Sequence, residues 1–189
     1  MKNNQNTIKA TTILIAIFIM AISYSSCKKK TTPPPNPNEE ELITTLQIIF
    51  IDSAGVEPNV TAIYRDIDGD GGNAPSTWDS IRLKANTTYL ANILLLDETK
   101  ADIDTISNEV LEEGVDHLFC FTQNGVNITT VATDTDLNGL PIGLQSKWKT
   151  GNMSTGSSQI VLRHQPDIKT GSCTPGESDI DLTFQCFVN

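Results

Sequence analysis

The last run of the chain restricts its fold most. Ile180, Leu182, Phe184, Cys186 and Val188 alternate with Asp181, Thr183 and Gln185. A period of two puts the apolar set on one face of an extended strand and the polar set on the other. One buried face and one wet face are the habit of an antiparallel sheet, and such a sheet needs a second layer to cover its apolar side. Residues 42–51, 60–65, 79–83, 87–96, 117–121, 126–131, 146–149 and 159–164 carry similar runs rich in β-branched and aromatic residues, separated by turn residues. About nine short strands of this kind predict an all-β, antiparallel β-sandwich, Ig-like or jelly-roll-like in layout. Asn124-Gly125, between two such runs, predicts a hairpin. One segment breaks the pattern: residues 102–114, with Asn108-Glu109-Val110-Leu111-Glu112-Glu113, predict one short helix ending at Gly114.

The N-terminus reads as an export signal. Lys2 and Lys9 precede an apolar run over 13–22, and Ser23, Ser25 and Ser26 lead to Cys27. The run is shorter than the ~20 residues a bilayer crossing needs. A cysteine directly after Ser26 resembles the lipobox of bacterial lipoproteins, in which the thiol takes acyl chains such as palmitate and becomes the new N-terminus. Tyr24 stands where that motif usually has Leu or Val. The alternative is an ordinary secretory signal cleaved nearby. Lys28-Lys29-Lys30 and then Thr31-Thr32-Pro33-Pro34-Pro35-Asn36-Pro37-Asn38 follow. Proline lacks the backbone donor and holds φ, so this piece is expected to be an extended spacer. Glu39-Glu40-Glu41 continue it as a solvated stretch. The expected organisation is a signal over 1–26, a lipidated cysteine and tether over 27–41, and a sandwich domain over 42–189.

Charge excludes one class of partner. The chain has 13 basic and 23 acidic residues; removing Lys2 and Lys9 with the signal leaves 11 basic and a net charge of −12. Such a surface repels nucleic acid. Export permits a disulfide. With Cys27 assigned to lipid, Cys120, Cys173 and Cys186 remain. The short, turn-rich separation favours Cys173–Cys186, with Cys120–Cys186 as the rival, since both lie in strands. No compact CxxC spacing supports a thiolate zinc site with His117 or His164.

Two acidic loops stand at expected strand ends. Asp66-Ile67-Asp68-Gly69-Asp70-Gly71 and Asp134-Thr135-Asp136-Leu137-Asn138-Gly139 both fit D-x-D-x-[DN]-G. Alternate oxygen side chains can converge on a hard cation, so Asp66, Asp68, Asp70, Asp134, Asp136 and Asn138 are candidate calcium ligands. The closing glutamate of an EF-hand is absent: Thr77 and Gln145 hold that position. The competing reading is that Asp, Asn and Gly here simply build tight turns.

His117 and His164 could meet across strands as a metal or catalytic pair. Alternatively His164, which shares a face with Ile160 and Leu162, caps a core edge. The chain has no G-x-S-x-G nucleophile motif and no G-x-x-x-x-G-K-[ST] phosphate loop. Trp78 and Trp148 are either exposed anchors or core residues. Asp52-Ser53-Ala54, Asp79-Ser80-Ile81 and Asp104-Thr105-Ile106 look like O-glycosylation acceptors of some Gram-negative lineages.

The layout resembles a family of small Gram-negative, Bacteroidota-type envelope lipoproteins of unestablished activity. The resemblance rests on Glu40-Glu41-Leu42-Ile43-Thr44-Thr45, on Arg65 through Gly72, and on Leu83-Lys84-Ala85-Asn86-Thr87-Thr88-Tyr89. It continues through the second acidic loop, Leu162-Arg163-His164-Gln165-Pro166 and Gly176-Glu177-Ser178-Asp179-Ile180-Asp181-Leu182-Thr183-Phe184. Labels in that family include GTP cyclohydrolase and type 1 periplasmic binding domain. An acidic sandwich offers no basic pocket for a triphosphate and supports neither. The expected role is a lipid-anchored module, membrane-held through Cys27, that binds a small ligand or serves an outer-membrane transporter. A metal-dependent envelope enzyme is the alternative.

Overall fold

The computed structural model describes residues 41–69 and 72–189. The expected signal, Cys27, the expected tether through residue 40, and Asp70 and Gly71 of the first acidic loop lie outside the described residues. The strands are β1 (Thr45–Asp52), β2 (Val60–Arg65), β3 (Thr77–Trp78), β4 (Ile81–Leu83), β5 (Thr88–Leu96), β6 (His117–Asn124), β7 (Ile128–Ala132), β8 (Gln145–Thr150), β9 (Ser154–His164) and β10 (Glu177–Val188). One helix, α1 (Ile106–Glu112), lies between β5 and β6. A six-stranded sheet of order β3-β2-β1-β5-β8-β7 faces a four-stranded sheet of order β4-β10-β9-β6. Neighbours run antiparallel except β10 and β4, which are parallel. The described residues therefore form an all-β sandwich with one short helix.

The alternation of the chain's last run holds along β10. Ile180, Leu182, Phe184, Cys186 and Val188 are buried, whereas Asp181, Thr183 and Gln185 are exposed. Opposite them, Leu46, Ile48 and Phe50 of β1 and Ala91, Ile93 and Leu95 of β5 join the same core cluster. Trp148 of β8 is fully buried, with the Phe50 ring 5.1 Å away and the Phe121 ring 5.6 Å away, both edge-on. Trp78 has the opposite fate: on edge strand β3 it is 53% exposed and leans on Tyr64. No helix among the described residues is long and apolar enough to cross a membrane.

The Asn124-Gly125 hairpin is not formed. β6 pairs with β9 along its full length, while β7 pairs with β8 in the other sheet. The tight turn is an arch between layers. Its room comes from Gly156 on β9, where any Cβ would collide with the Asn124 carbonyl and the Val126 amide. A turn dipeptide reports a reversal of direction, but which strands pair is set by where each buries its apolar face. Helix α1 is also shorter than expected. Asp97 and Asp104 exchange two backbone hydrogen bonds of 3.0 Å, which draws the start of the segment into a β-bridge. The helix then buries Ile106 and Val110, four residues apart on one face.

The cysteine pairing is corrected. Cys120 is bonded to Cys173, with Cα atoms 5.9 Å apart, and Cys186 is free and buried. The parity of each strand decides this. Cys186 belongs to the inward set of β10, in the main core. Cys120 lies between inward Phe119 and Phe121 and so faces outward, in a small cluster with Leu118 and Val161. A sheet separates Cys120 from Cys186, which removes the rival pairing as well. The loop bearing Cys173 crosses the outer face instead, held by Gln165, whose buried amide donates to the Ser172 and Pro175 carbonyls at 2.9 and 2.7 Å.

Candidate functional site

Polar side chains converge at the end of the sandwich where β6 begins and β9 ends. His117 and His164 are direct cross-strand partners, and their rings stack at 4.9 Å with 6° between planes. His164 continues the inward row of Ile160 and Leu162, and both histidines are buried. Two acidic side chains arrive from α1 and its end: Glu109 lies in the helix and Glu113, four residues on, is its C-cap. Glu41, just before β1, is half-buried against them rather than solvated with the tether. Asp179 comes from β10. The register there slips between Ser178 and Ile180, so Asp179 is the extra residue of a bulge. The bulge turns its carboxylate fully inward, to 3.8 Å from His117 Nε2.

One carboxylate oxygen from each of Glu41 and Glu113 and one ring nitrogen of His117 lie within 4.8 Å of one another. The electrostatics are those of crowded anions. Burial, then the carboxylates of Glu109, Asp179 and Glu113, push the Glu41 carboxyl up to about 7. Glu109 is raised too, by burial and by Asp104, although its hydrogen bond with Glu41 pulls the other way. Burial depresses the affinity of His117 for a second proton. His117 Nδ1 lies 3.1 Å from the Glu113 carbonyl, which can only accept, so Nδ1 carries the ring hydrogen. Nε2 is thereby left with its lone pair, and it is buried with no hydrogen-bond partner.

The acidic loops are organised differently. Both Asp134 oxygens accept backbone amides, from Gly143 at 2.7 Å and Gln145 at 3.0 Å. Asp136 Oδ1 accepts the Asn138 and Leu140 amides, each at 2.8 Å. Its Oδ2 is 2.8 Å from the Lys169 ammonium, in a pair whose side chains are almost fully buried. Burial would raise the Asp136 carboxyl, but Lys169 and the two amides outweigh it and hold it below its ordinary value. A calcium ion at this loop would have to displace Lys169, which also donates to the Gly114 carbonyl at 2.6 Å. Asn138 is exposed. In the first loop, Asp68 Oδ2 accepts the Asn73 amide at 2.8 Å and its side-chain NH2 at 2.6 Å. Asp66 is buried, with the Tyr64 hydroxyl 3.3 Å from its Oδ2. The hydrogen bonds in both loops are those of turns that close on their own backbone. Of the candidate calcium ligands, Asp66, Asp68, Asp134 and Asp136 therefore hold contacts within the fold, Asn138 is exposed, and Asp70 lies outside the described residues.

Among the described residues, a hollow of about 550 Å³ lies near the Asn124-Gly125 arch, lined by Val126, Asn127, Lys149 and Asn152 among others. It sits at the far end of β6 from His117 and contains none of the clustered acids. Sequence reasoning identified the histidines but missed Glu41 and Asp179. The legible signal was the repeated spacing of four in Glu109, Glu113 and His117. The bulge that aims Asp179 has no sequence mark. Comparison with protein-family models, with curated proteins and with solved structures yields no match, so the geometry alone supports the reading of this site.

Proposed function

We propose that this chain is a lipid-anchored protein of the cell envelope, held at the outer membrane through Cys27, whose sandwich domain acts as a binding or interaction module. Its partner is an outer-membrane transporter or a small ligand. The observation that carries the reading is the Cys120–Cys173 disulfide, alongside an N-terminal sequence that reads as an export signal. Structural disulfides persist where thiols are kept oxidised, which favours an exported domain. The lipobox-like Ser26-Cys27 and the proline-rich spacer supply the anchor and the stand-off. The test is acylation and fractionation. Wild type incorporates labelled palmitate and sediments with outer membranes, whereas Cys27→Ala takes no label and leaves that fraction. A Cys27→Ala chain that remains acylated refutes the anchor. Affinity purification of the wild-type protein from membranes, read by mass spectrometry, then identifies the transporter or leaves the small-ligand role.

A second reading, a metal-dependent envelope enzyme, is favoured by one observation, the convergence of Glu41, Glu113 and His117. It predicts metal-dependent turnover that Glu113→Gln abolishes.

A further inference from the structure

We propose that the outer face of the six-stranded sheet, centred on Leu90, docks on a bilayer of anionic phospholipid. The sheet register builds the face. Val131 of β7, Lys147 of β8, Leu90 of β5 and Ile51 of β1 are successive cross-strand partners, so they form one row across four strands. Strand parity turns this row away from the core, into which the neighbouring Trp148, Tyr89 and Phe50 point. Val131 is 63% exposed, Leu90 45% and Ile51 39%. Lys149 and Ile49 extend the row on either side, two residues along their strands. An exposed apolar row rimmed by polar groups marks an interaction surface.

Charge selects the occupant. The chain has 23 acidic residues, yet the six strands of this sheet contain one, Asp52. Its carboxylate is turned into its own loop, where it accepts the Ala54, Val56 and Glu57 amides. The outward bases are Arg65, Lys147 and Lys149. Arg65 is paired with Glu98, whereas among the described residues neither lysine has an ion-pair partner. A second copy of the chain fits badly, because two-fold packing of this face on itself sets lysines against lysines. An anionic bilayer matches both parts of the row. The ammonium groups meet lipid phosphates, while the aliphatic chains and the lysine stems enter the headgroup boundary. The acids of the other sheet do not oppose this. Stacked sheets lie about 10 Å apart, which is at least a Debye length at physiological salt.

The chain length beyond the described residues permits the contact. Residues 27–40 separate Cys27 from the domain. Fully extended, a segment of that length reaches at most about 50 Å, more than the roughly 30 Å that the nine residues of β5 span. An acyl chain on Cys27 can therefore enter the same bilayer that this face touches. That step rests on the anchor proposed at Cys27; the face itself does not.

The test uses the chain from residue 27 with Cys27→Ala, so no acyl chain contributes and failure of the anchor leaves the result intact. Vesicles of equal parts phosphatidylcholine and phosphatidylglycerol are the probe, with pure phosphatidylcholine for comparison. Co-sedimentation should show binding to the anionic vesicles that weakens as salt is added. Lys147→Glu should weaken it on the order of tenfold, and Leu90→Asn severalfold. Arg82→Glu, an equal change of net charge at an exposed position on β4 of the other sheet, should leave it unchanged. All three positions are exposed, and circular dichroism confirms that each variant is folded. Absence of binding by the folded wild type overturns the proposal and leaves the face to an acidic protein. Binding unchanged in both Lys147→Glu and Leu90→Asn overturns it too, since Lys28-Lys29-Lys30 would then carry the contact. So does a wild-type dimer in sedimentation that Leu90→Asn dissociates.

Discussion

Breaking the Cys120–Cys173 bond should destabilise the domain by about 4 kcal/mol. The bond joins residues 53 apart in sequence, and closing a loop of that length in the unfolded chain removes entropy equivalent to about 4 kcal/mol at room temperature. For a domain of this size each kcal/mol lowers the melting temperature by roughly 2–4 °C, so a fall of about 10 °C is expected. Cys120→Ala and Cys173→Ala should each produce most of this loss, and the double variant little more, because either change removes the same covalent link. Thermal unfolding followed by circular dichroism, with and without a phosphine reductant, gives the number. Cys186 is the internal control. Burial pushes its thiol up to about 12, and its neighbours are core side chains. It should resist a disulfide reagent at pH 8 in the native state and react once the protein is unfolded. A loss under about 1 kcal/mol would refute the entropic argument. Non-reducing peptide mapping that linked Cys173 to Cys186 would refute the strand-parity argument itself.

Three further outcomes follow from the packing. Trp148→Ala should cost about 3–5 kcal/mol in urea unfolding, because a fully buried ring and two edge-on aromatic contacts are lost; Trp78→Ala should cost no more than about 1 kcal/mol. Equal losses at the two sites would contradict their placement. Lys169→Met leaves the Asp136 carboxylate and the Gly114 carbonyl buried without their donor. It should destabilise by about 3–5 kcal/mol, with partial recovery in the Lys169→Met, Asp136→Asn double variant. The pH dependence has a definite sign. The folded Asp136 carboxyl is held below its ordinary 3.8, so its stabilisation is present above that value and disappears as the pH falls through the folded pKa. The stability gap between wild type and Asp136→Asn should therefore narrow on acidification below about pH 4; a gap that widened there would reverse the assignment.

The histidines show how far the site could be read in advance. The meeting of His117 and His164 across strands was legible, since each lies in a strand-like run. The stacking needed the register of β6 on β9, which pairs them directly. Glu109 and Glu113 carried a helical spacing, but Glu41 looked like the end of a solvated acidic stretch. Its burial brings it beside Glu109 of α1, a contact between distant parts of the chain that is invisible locally. Asp179 sits on the polar side of the β10 alternation by counting. A single-residue bulge reverses that parity.

The same distinction runs through the whole molecule. Period-2 alternation, turn residues and β-branched runs are local properties, and they determined that this chain makes a two-layer β structure with a short helix after β5. Strand partners, sheet order and the disulfide are non-local. The residues flanking the Asn124-Gly125 turn enter opposite sheets because Gly156 leaves room for the arch and because β6 covers the core beside β9. Cys120 finds Cys173 because both lie on the outer side of the four-stranded sheet, while Cys186 points inward. Local sequence sets the direction and face of each segment; only the packed layers decide which faces meet, since the free energy of burial belongs to pairs of surfaces distant along the chain.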